Sequence, residues 1–173
     1  MTDERILHEG AFLRVKRRGR WEFVERVNAR AAAVIVATTD AGELLLVEQW
    51  RAPVDAPVIE LPAGLVGDIA GAEDEPVLEA AARELEEETG YRPGSLSRLA
   101  GGPPSAGLSN EHVVLVRAQE LVRVGDGGGD ASEDITPHAV ALPAAADWLA
   151  AREAAGVLID PKVYAGLYFA ARS

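Results

Sequence analysis

The order of apolar and polar positions divides the chain into elements before any chemistry is considered. Residues 5–28 alternate loosely, with 17–20 (R-R-G-R) as a turn between two strands and Trp21, Phe23, Val24 and Val27 available as one apolar face. Residues 31–38 (A-A-A-V-I-V-A-T) form an unbroken apolar run, which predicts a strand buried on both faces. A turn at 39–42 (T-D-A-G) leads into a return strand over 43–49, and Pro53 and Pro57 interrupt the chain before a short strand at 58–61. Pro62, Ala63 and Gly64 bend it again, and 65–74 reads as a loop containing Gly and Asp.

A helix follows. Asp74 is suited to the N-cap, Pro76 to the first turn and Gly90 to the C-terminal stop, while Val77, Leu78, Ala81 and Leu85 supply a buried stripe. Residues 101–111 and 125–134 are Gly-rich loops around a buried strand at 112–117, and 139–142 is a further short strand. Pro143 opens a helix that ends at Gly156, and Asp160-Pro161 opens a last one with Val163, Leu167, Phe169 and Ala170 available to pack. Strands, an internal helix, more strands and two terminal helices predict an α/β (α+β) sandwich with helices against a mixed sheet.

Composition narrows the function classes. A chain of 173 residues fits one domain that buries about two-thirds of its unfolded surface. It has no apolar run long enough for a membrane span, no secretory leader pattern and no cysteine, so a cytoplasmic protein without membrane partners is expected. A net charge of −11 argues against a nucleic acid polymer as partner. The acidity is concentrated in 73–88, whereas 14–30 carries Arg14, Lys16, Arg17, Arg18, Arg20, Arg26 and Arg30. That basic segment reads equally as an anion- or partner-contacting surface and as a solvated hairpin.

The internal helix carries the candidate chemistry. It holds Glu75, Glu79, Glu84, Glu86, Glu87 and Glu88 against one cation, Arg83. Glu84 stands one turn from Glu87 and Glu88, so three carboxylates share a face at a spacing where like charges destabilise a helix. A divalent cation would offset that repulsion, because hard ions take carboxylate oxygens. Taken alone, E-x-x-E-E is also the pattern of a solvated helix face.

The surroundings change that balance. Leu61-Pro62-Ala63-Gly64, then Glu75, then Arg83-Glu84-Leu85-x-Glu87-Glu88-x-Gly90 with Tyr91 after it, resembles the Nudix box. That box reads G, five residues, E, seven residues, R-E-U-x-E-E-x-G-U, with U a bulky apolar residue. Seven residues separate Glu75 from Arg83 as required, but ten separate Gly64 from Glu75. Ile69 stands where the glycine belongs, so either the loop carries an insertion or Gly67 or Gly71 takes over part of the turn. The resemblance implies a Nudix α/β/α sandwich over 30–173, preceded by an antiparallel strand extension at 1–29 that serves dimerisation. It also implies Mg²⁺ (or Mn²⁺) held by Glu84 and Glu88, with Glu87 as ligand or catalytic neighbour and the Ala63 carbonyl as a backbone ligand. Arg83 is expected to pair with Glu79 or Glu87, and Glu79 and Glu86 to face solvent.

Further segments look like the ADP-ribose pyrophosphatase branch: V-E-Q-W-R at 47–51, E-L-P-A-G at 60–64, S-x-G-x-x-x-E at 105–111, E-D-I at 133–135 and G-V-L-I-D-P-K at 156–162. By that resemblance the substrate is a nucleoside diphosphate sugar, with ADP-ribose leading, and the products are AMP and ribose 5-phosphate. Glu133 becomes the candidate base, with Asp134 second, in a loop to which Gly127-Gly128-Gly129 gives no fixed shape. Arg51 and Glu111 become substrate contacts, Trp50 or Trp21 a stacking partner for the base, and the assembly a homodimer. Ser105-Ala106-Gly107 lacks the proline of the branch, so GDP-mannose and other nucleoside diphosphate sugars stay open. So do a non-catalytic nucleotide-sensing module and a hydrolase of oxidised nucleoside triphosphates.

Overall fold

A computed structural model describes residues 3–129 and 134–172. Three strands come first, β1 (Glu4–Glu9), β2 (Leu13–Arg18) and β3 (Trp21–Arg26), and they form an antiparallel sheet of their own. The chain continues through β4 (Ala31–Ala37), β5 (Glu43–Arg51), β6 (Ala56–Glu60) and β7 (Ala63–Val66) to α1 (Val77–Thr89). Then come β8 (Tyr91–Arg92), β9 (Ser95–Gly102), β10 (Val113–Gln119), β11 (Val122–Arg123), β12 (Ile135–Ala141), α2 (Ala145–Ala154), β13 (Leu158–Ile159) and α3 (Pro161–Ala170).

Two four-stranded mixed sheets, β7-β4-β10-β9 and β12-β5-β6-β13, make the body, with β8 and β11 paired beside them. The β4–β10 and β6–β13 pairs are parallel and the other pairs antiparallel. The unbroken apolar run of β4 is explained by its two neighbours. Ala33, Ile35 and Ala37 pack with Ala80, Ala81 and Leu85 of α1, while Val34 and Val36 face a second core with Leu44, Leu46, Ile59, Leu61, Leu149 and Val163. Pro137 is tolerated in β12 because that strand lies at a sheet edge, where a missing N–H breaks no inner ladder. Among the described residues no helix is long and apolar enough to cross a membrane.

The α/β sandwich is as expected, and several local readings are corrected. Residues 5–28 contain three strands, because Gly10 donates to the Leu13 carbonyl at 2.8 Å and closes an additional turn. The start of the supposed 65–74 loop belongs to β7, where Leu65 and Val66 pair with Ala32 and Ala31. Strand β9 went unread: it is an edge strand with few buried side chains, ends in two glycines, and takes in the start of the 101–111 loop. Helix α1 begins after Pro76 with no side-chain cap, so Asp74 does not cap it. Leu78 is 37% exposed and Ala80 takes its place in the buried stripe. A 3-10 turn over Leu142–Ala144 precedes α2, whereas Asp160 caps α3 as expected by accepting from the Lys162 amide at 2.7 Å.

The basic N-terminal segment is largely neutralised from within. Arg14 pairs with Glu9, Lys16 with Glu4 and Glu25, Arg17 with Glu22, Arg18 with Glu4 and Arg26 with Glu111. Hydrogen bonds from Lys16 and Arg18 hold the Glu4 carboxyl below the ordinary glutamate value of 4.5. Burial works against the same shift at Glu25, where Lys16 and Asn110 nonetheless keep it low.

Two outcomes follow. Leu85 is fully buried against β4, so Leu85→Ala should lower unfolding free energy by about 2–5 kcal/mol in urea titrations. The depressed pKa values of Glu4 and Glu25 give a contribution that is present above pH 4.5 and lost as pH falls through the lower folded values. The urea midpoint should therefore drop on acidification, and less steeply in the Glu4→Gln, Glu25→Gln double variant. Identical pH profiles for the two proteins would refute this.

Candidate active site

The site is built where α1 crosses β7. Leu85 and Ala81 are pinned to β4, and the helical period then turns Glu84 and Glu88, one turn apart, toward the strand beside it. Glu88 is 3% exposed, and its Oε2 accepts the Ala63 amide at 3.0 Å. Glu84 lies directly on Gly64, where a Cβ would stand 1.8 Å from the Glu84 carboxyl carbon. Only glycine permits that approach. The Ala63 contact thus comes from its N–H, and Glu87 sits further out, exposed on the helix.

Arg83 stands among the carboxylates. Its Nη1 donates to Glu84 at 2.8 Å and Glu87 at 3.2 Å, and its Nε and Nη2 donate to the two Glu75 oxygens at 3.3 Å each. The expected partner Glu87 is present, but Glu75 and Glu84 take the place of Glu79, which is exposed. Glu86 is not simply solvent-facing, since it holds Arg92 at 2.8 and 2.9 Å. Burial opposes the Arg83 charge, yet hydrogen bonding to Glu75 and the Glu84 charge raise its pKa above the ordinary arginine value. Glu84 is also raised: its burial outweighs the Arg83 contact, and the charges of Glu87 and Asp68 add to it. The pairing therefore secures the guanidinium without fully compensating Glu84.

That imbalance suits a divalent cation. The donor set is carboxylate oxygen, which hard Mg²⁺ or Mn²⁺ prefers, and Glu84 is a half-buried carboxylate short of positive charge. Among the described residues no three His, Cys, Asp or Glu side chains close a metal shell by themselves. An ion here would share its coordination with water or substrate, as Mg²⁺ commonly does.

The far end of α1 is held by the glycine-rich loop. Gly90 is left-handed and ends the helix, while the Gly128 and Gly129 amides donate to the Glu88 and Glu87 carbonyls at 2.9 and 3.0 Å. Gly127 has φ +72°, and a Cβ there would meet the Glu88 carbonyl oxygen at 2.5 Å. The expectation of a shapeless glycine run is corrected: 127–129 is fitted to the helix end. Glu133 lies outside the described residues, and Asp134 is exposed ahead of β12.

With this geometry in place, comparison with known proteins is direct. The NUDIX domain family model matches residues 28–164. The chain belongs to the NUDIX domain family. An ADP-ribose pyrophosphatase of Bacillus subtilis (strain 168) is 37% identical over 97 residues, 56% of this chain and 50% of that protein. An ADP-ribose pyrophosphatase of Mycobacterium tuberculosis is 39% identical over 101 residues, 58% of this chain and 47% of that protein. A CMP-5'-(N-acetyl-N-hydroxy-3-aminopropyl)phosphonate hydrolase of Streptomyces rubellomurinus is 37% identical over 127 residues, 69% of this chain and 59% of that protein. The chain thus spans about half of the length of the curated relatives it matches. A crystal structure described as an ADP compounds hydrolase shares the fold, with TM-score 0.73 and 21% identity over 98% of this chain and 90% of that one.

The NUDIX matched region runs from just before β4 into α3. Within it, Trp50 and Arg51 end β5; Trp50 is 60% exposed, and Arg51 donates from Nε to Glu60 at 2.8 Å. Glu60 precedes Ala63 by three residues in the chain. Trp21, also 60% exposed, lines a cavity of 280 Å³ with Arg18, Phe23, Ala106 and Asn110. Glu111 bonds Arg26 and lines a separate cavity of 190 Å³ with Glu25, Arg30 and His112. Both cavities lie on the seam where β3 meets the 105–110 loop, joined by Val24 N–H to the Leu108 carbonyl at 2.8 Å. The structure therefore gathers Ala63, Glu84, Glu87 and Glu88, and places Trp21 and Glu111 along one neighbouring seam. The link from Arg30 to the Glu75 carbonyl at 2.9 Å was missed, because nothing local in the sequence marks a partner 45 residues away.

Gly64→Ala should push the Glu84 side chain off β7 while costing no more than about 1–2 kcal/mol of stability, because the obstacle is the end of a flexible side chain. A crystal structure of the variant with Glu84 unmoved would contradict this packing.

Proposed function

We propose that this chain is a divalent-metal-dependent hydrolase of the diphosphate bond in nucleoside diphosphate sugars, with ADP-ribose the leading substrate and AMP and ribose 5-phosphate the products. The carrying observation is the placement of Glu84 and Glu88 against Ala63 and Gly64, in a chain that belongs to the NUDIX family. Similarity to two proteins named ADP-ribose pyrophosphatase supports the substrate, and similarity to a hydrolase of a CMP-linked phosphonate supports the bond class.

In this reading Glu84 and Glu88 hold the ion, Mg²⁺ or Mn²⁺, with Glu87 and the Ala63 backbone beside them. When bound, the ion supplies charge neutralisation on the diphosphate oxygens and a more acidic water. Arg83 restrains Glu84 and Glu87 so that both point one way before substrate arrives. Arg51, turned from Glu60, can make bidentate bonds to a phosphate. Glu111 accepts from a ribose or base hydroxyl or amine, and Trp21 or Trp50 offers a ring face for the base. Glu87 is the described carboxylate best placed to orient water, since it is the exposed one of the three. Residues 1–29 act as an extension that pairs two copies, a role supported by exposed Ile6, Leu7, Leu13 and Trp21 on its sheet and Phe12 in the turn beside them.

The deciding assay offers ADP-ribose, GDP-mannose, UDP-glucose and NADH with Mg²⁺ or Mn²⁺ and separates the products by chromatography. AMP and ribose 5-phosphate are expected from ADP-ribose. Glu84→Gln and Glu88→Gln should each lower kcat by at least about a hundredfold, the scale set by loss of a charge-stabilising group, with folding intact by circular dichroism. Full activity in both variants, or turnover undiminished by chelator, would overturn the metal assignment. Ligand binding with no turnover would indicate the sensing module instead.

A further inference from the structure

The ten-residue stretch that separates Gly64 from Glu75 is closed by one side chain outside the box motif. Arg30, exposed just before β4, holds both ends of it. Its main-chain N–H donates to the Val66 carbonyl at 3.0 Å, and its guanidinium Nη2 donates to the Glu75 carbonyl at 2.9 Å. The guanidinium crosses the loop entrance: a Cβ on Gly67 would stand 3.1 Å from Arg30 Nε and 2.5 Å from the Glu73 carbonyl. Between these ends the loop folds on itself, with Ala72 donating to Ile69, Glu75 to Ala72, and Gly71 to the Glu73 carboxylate at 3.0 Å.

The contacts then run into the carboxylate site. Glu75, fixed through its carbonyl by Arg30, takes Arg83 with both side-chain oxygens at 3.3 Å. The remaining Arg83 nitrogen holds Glu84 at 2.8 Å and Glu87 at 3.2 Å. The same loop carries Asp68, whose charge reaches Glu84, so the course of the loop sets part of the field there.

We infer that Arg30 is the clasp of this lengthened loop and a positioning residue for the carboxylate site, acting through Glu75 and Arg83. The clasp stands on geometry alone, and only its consequence for metal and turnover rests on the proposed function. A guanidinium suits the role because Nη2 bonds the Glu75 carbonyl while Nε stands beside Gly67, two fixed positions that a lysine ammonium does not reproduce. Closing a long loop also has an entropic cost that such a tie offsets.

The test uses the full chain with Arg30→Ala, Arg30→Lys, Glu75→Gln and the Arg30→Ala, Glu75→Gln pair. Arg92→Ala, which breaks a pair on the other side of α1, is the control. In Arg30→Ala, amide exchange across 67–75 should rise at least about tenfold, as expected of a loop freed to open locally. Mn²⁺ affinity by calorimetry should fall by about tenfold, the scale of losing a group that orients metal ligands. The Mg²⁺ concentration for half-maximal turnover should rise in step, while kcat at saturating Mg²⁺ is largely kept. Arg30→Lys should fall between, and Arg92→Ala should match the parent in all three.

In the Glu75→Gln background, Arg30→Ala should lower Mn²⁺ affinity by less than about a further twofold, because residues acting through one another are not additive. Parent-like exchange in Arg30→Ala overturns the clasp. Raised exchange with unchanged Mn²⁺ affinity, or losses of Mn²⁺ affinity that add in full with Glu75→Gln, overturns the relay. A parent protein that neither binds Mn²⁺ nor hydrolyses any of the four substrates refutes the proposed function and the relay together, and exchange then decides the clasp by itself.

Discussion

The structure depends on one awkward contact, the burial of two carboxylates of a helix against the main chain of a neighbouring strand. A buried carboxylate is costly unless it is bonded, and Glu88 meets that demand by accepting the Ala63 amide. Glu84 meets it only in part, through Arg83 on one side, and its raised pKa records the shortfall. Such a contact persists because its surroundings leave it no alternative. Leu85, Ala80 and Ala81 fix the rotation of α1, Gly64 removes the atom that would block Glu84, and glycine amides close the helix end behind Glu88.

Small residues set the closeness of that approach. The core between α1 and its sheet sets five alanines, Ala33, Ala37, Ala80, Ala81 and Ala118, among Ile35, Leu45, Val66, Leu85, Val114 and Val116. A carboxylate two carbons beyond its Cβ can then reach the backbone of β7. The opposite core, with Leu44, Leu46, Ile59, Leu61 and Leu149, is filled by larger groups and carries the second sheet with α2 and α3. One side of the molecule is thus packed for bulk and the other for proximity, and the candidate site lies on the side packed for proximity.

What the sequence made legible followed from short-range period. The i, i+4 spacing of Glu84 and Glu88, the unbroken run of β4 and the Asp160-Pro161 cap were all read from residues within one or two turns of each other. The misreadings share the opposite cause. Strand β9 takes its identity from pairing with β10, the Gly127–Gly129 run takes its shape from carbonyls of α1, and Arg83 finds Glu75 eight residues back, beyond the start of the helix. The basic segment at 14–30 left an anion surface as open as a solvated hairpin, because several of its glutamate partners, Glu4 and Glu9 before it and Glu111 far beyond it, lie outside that window, while Glu22 and Glu25 lie within it.

The distribution of charge bears on what the site requires. An acidic chain in which Arg14, Lys16, Arg17, Arg18 and Arg26 are paired with glutamates offers little free positive charge to a diphosphate. The helix that faces the ligand under the proposed function, with the residues just before it, presents Glu75, Glu84 and Glu87 around a single arginine, and that arginine is committed to all three. Arg51 is held by Glu60 in the same manner. An anionic substrate would meet net negative charge at the carboxylates of the site, where Coulomb terms are on the order of several kcal/mol in a partly desolvated setting. A divalent cation would cancel the charges of Glu84 and Glu88 and leave open coordination positions for phosphate oxygens. Under this reading the metal is a condition of substrate binding as well as of the chemical step, because without it the carboxylates exclude the molecule they would help to cleave.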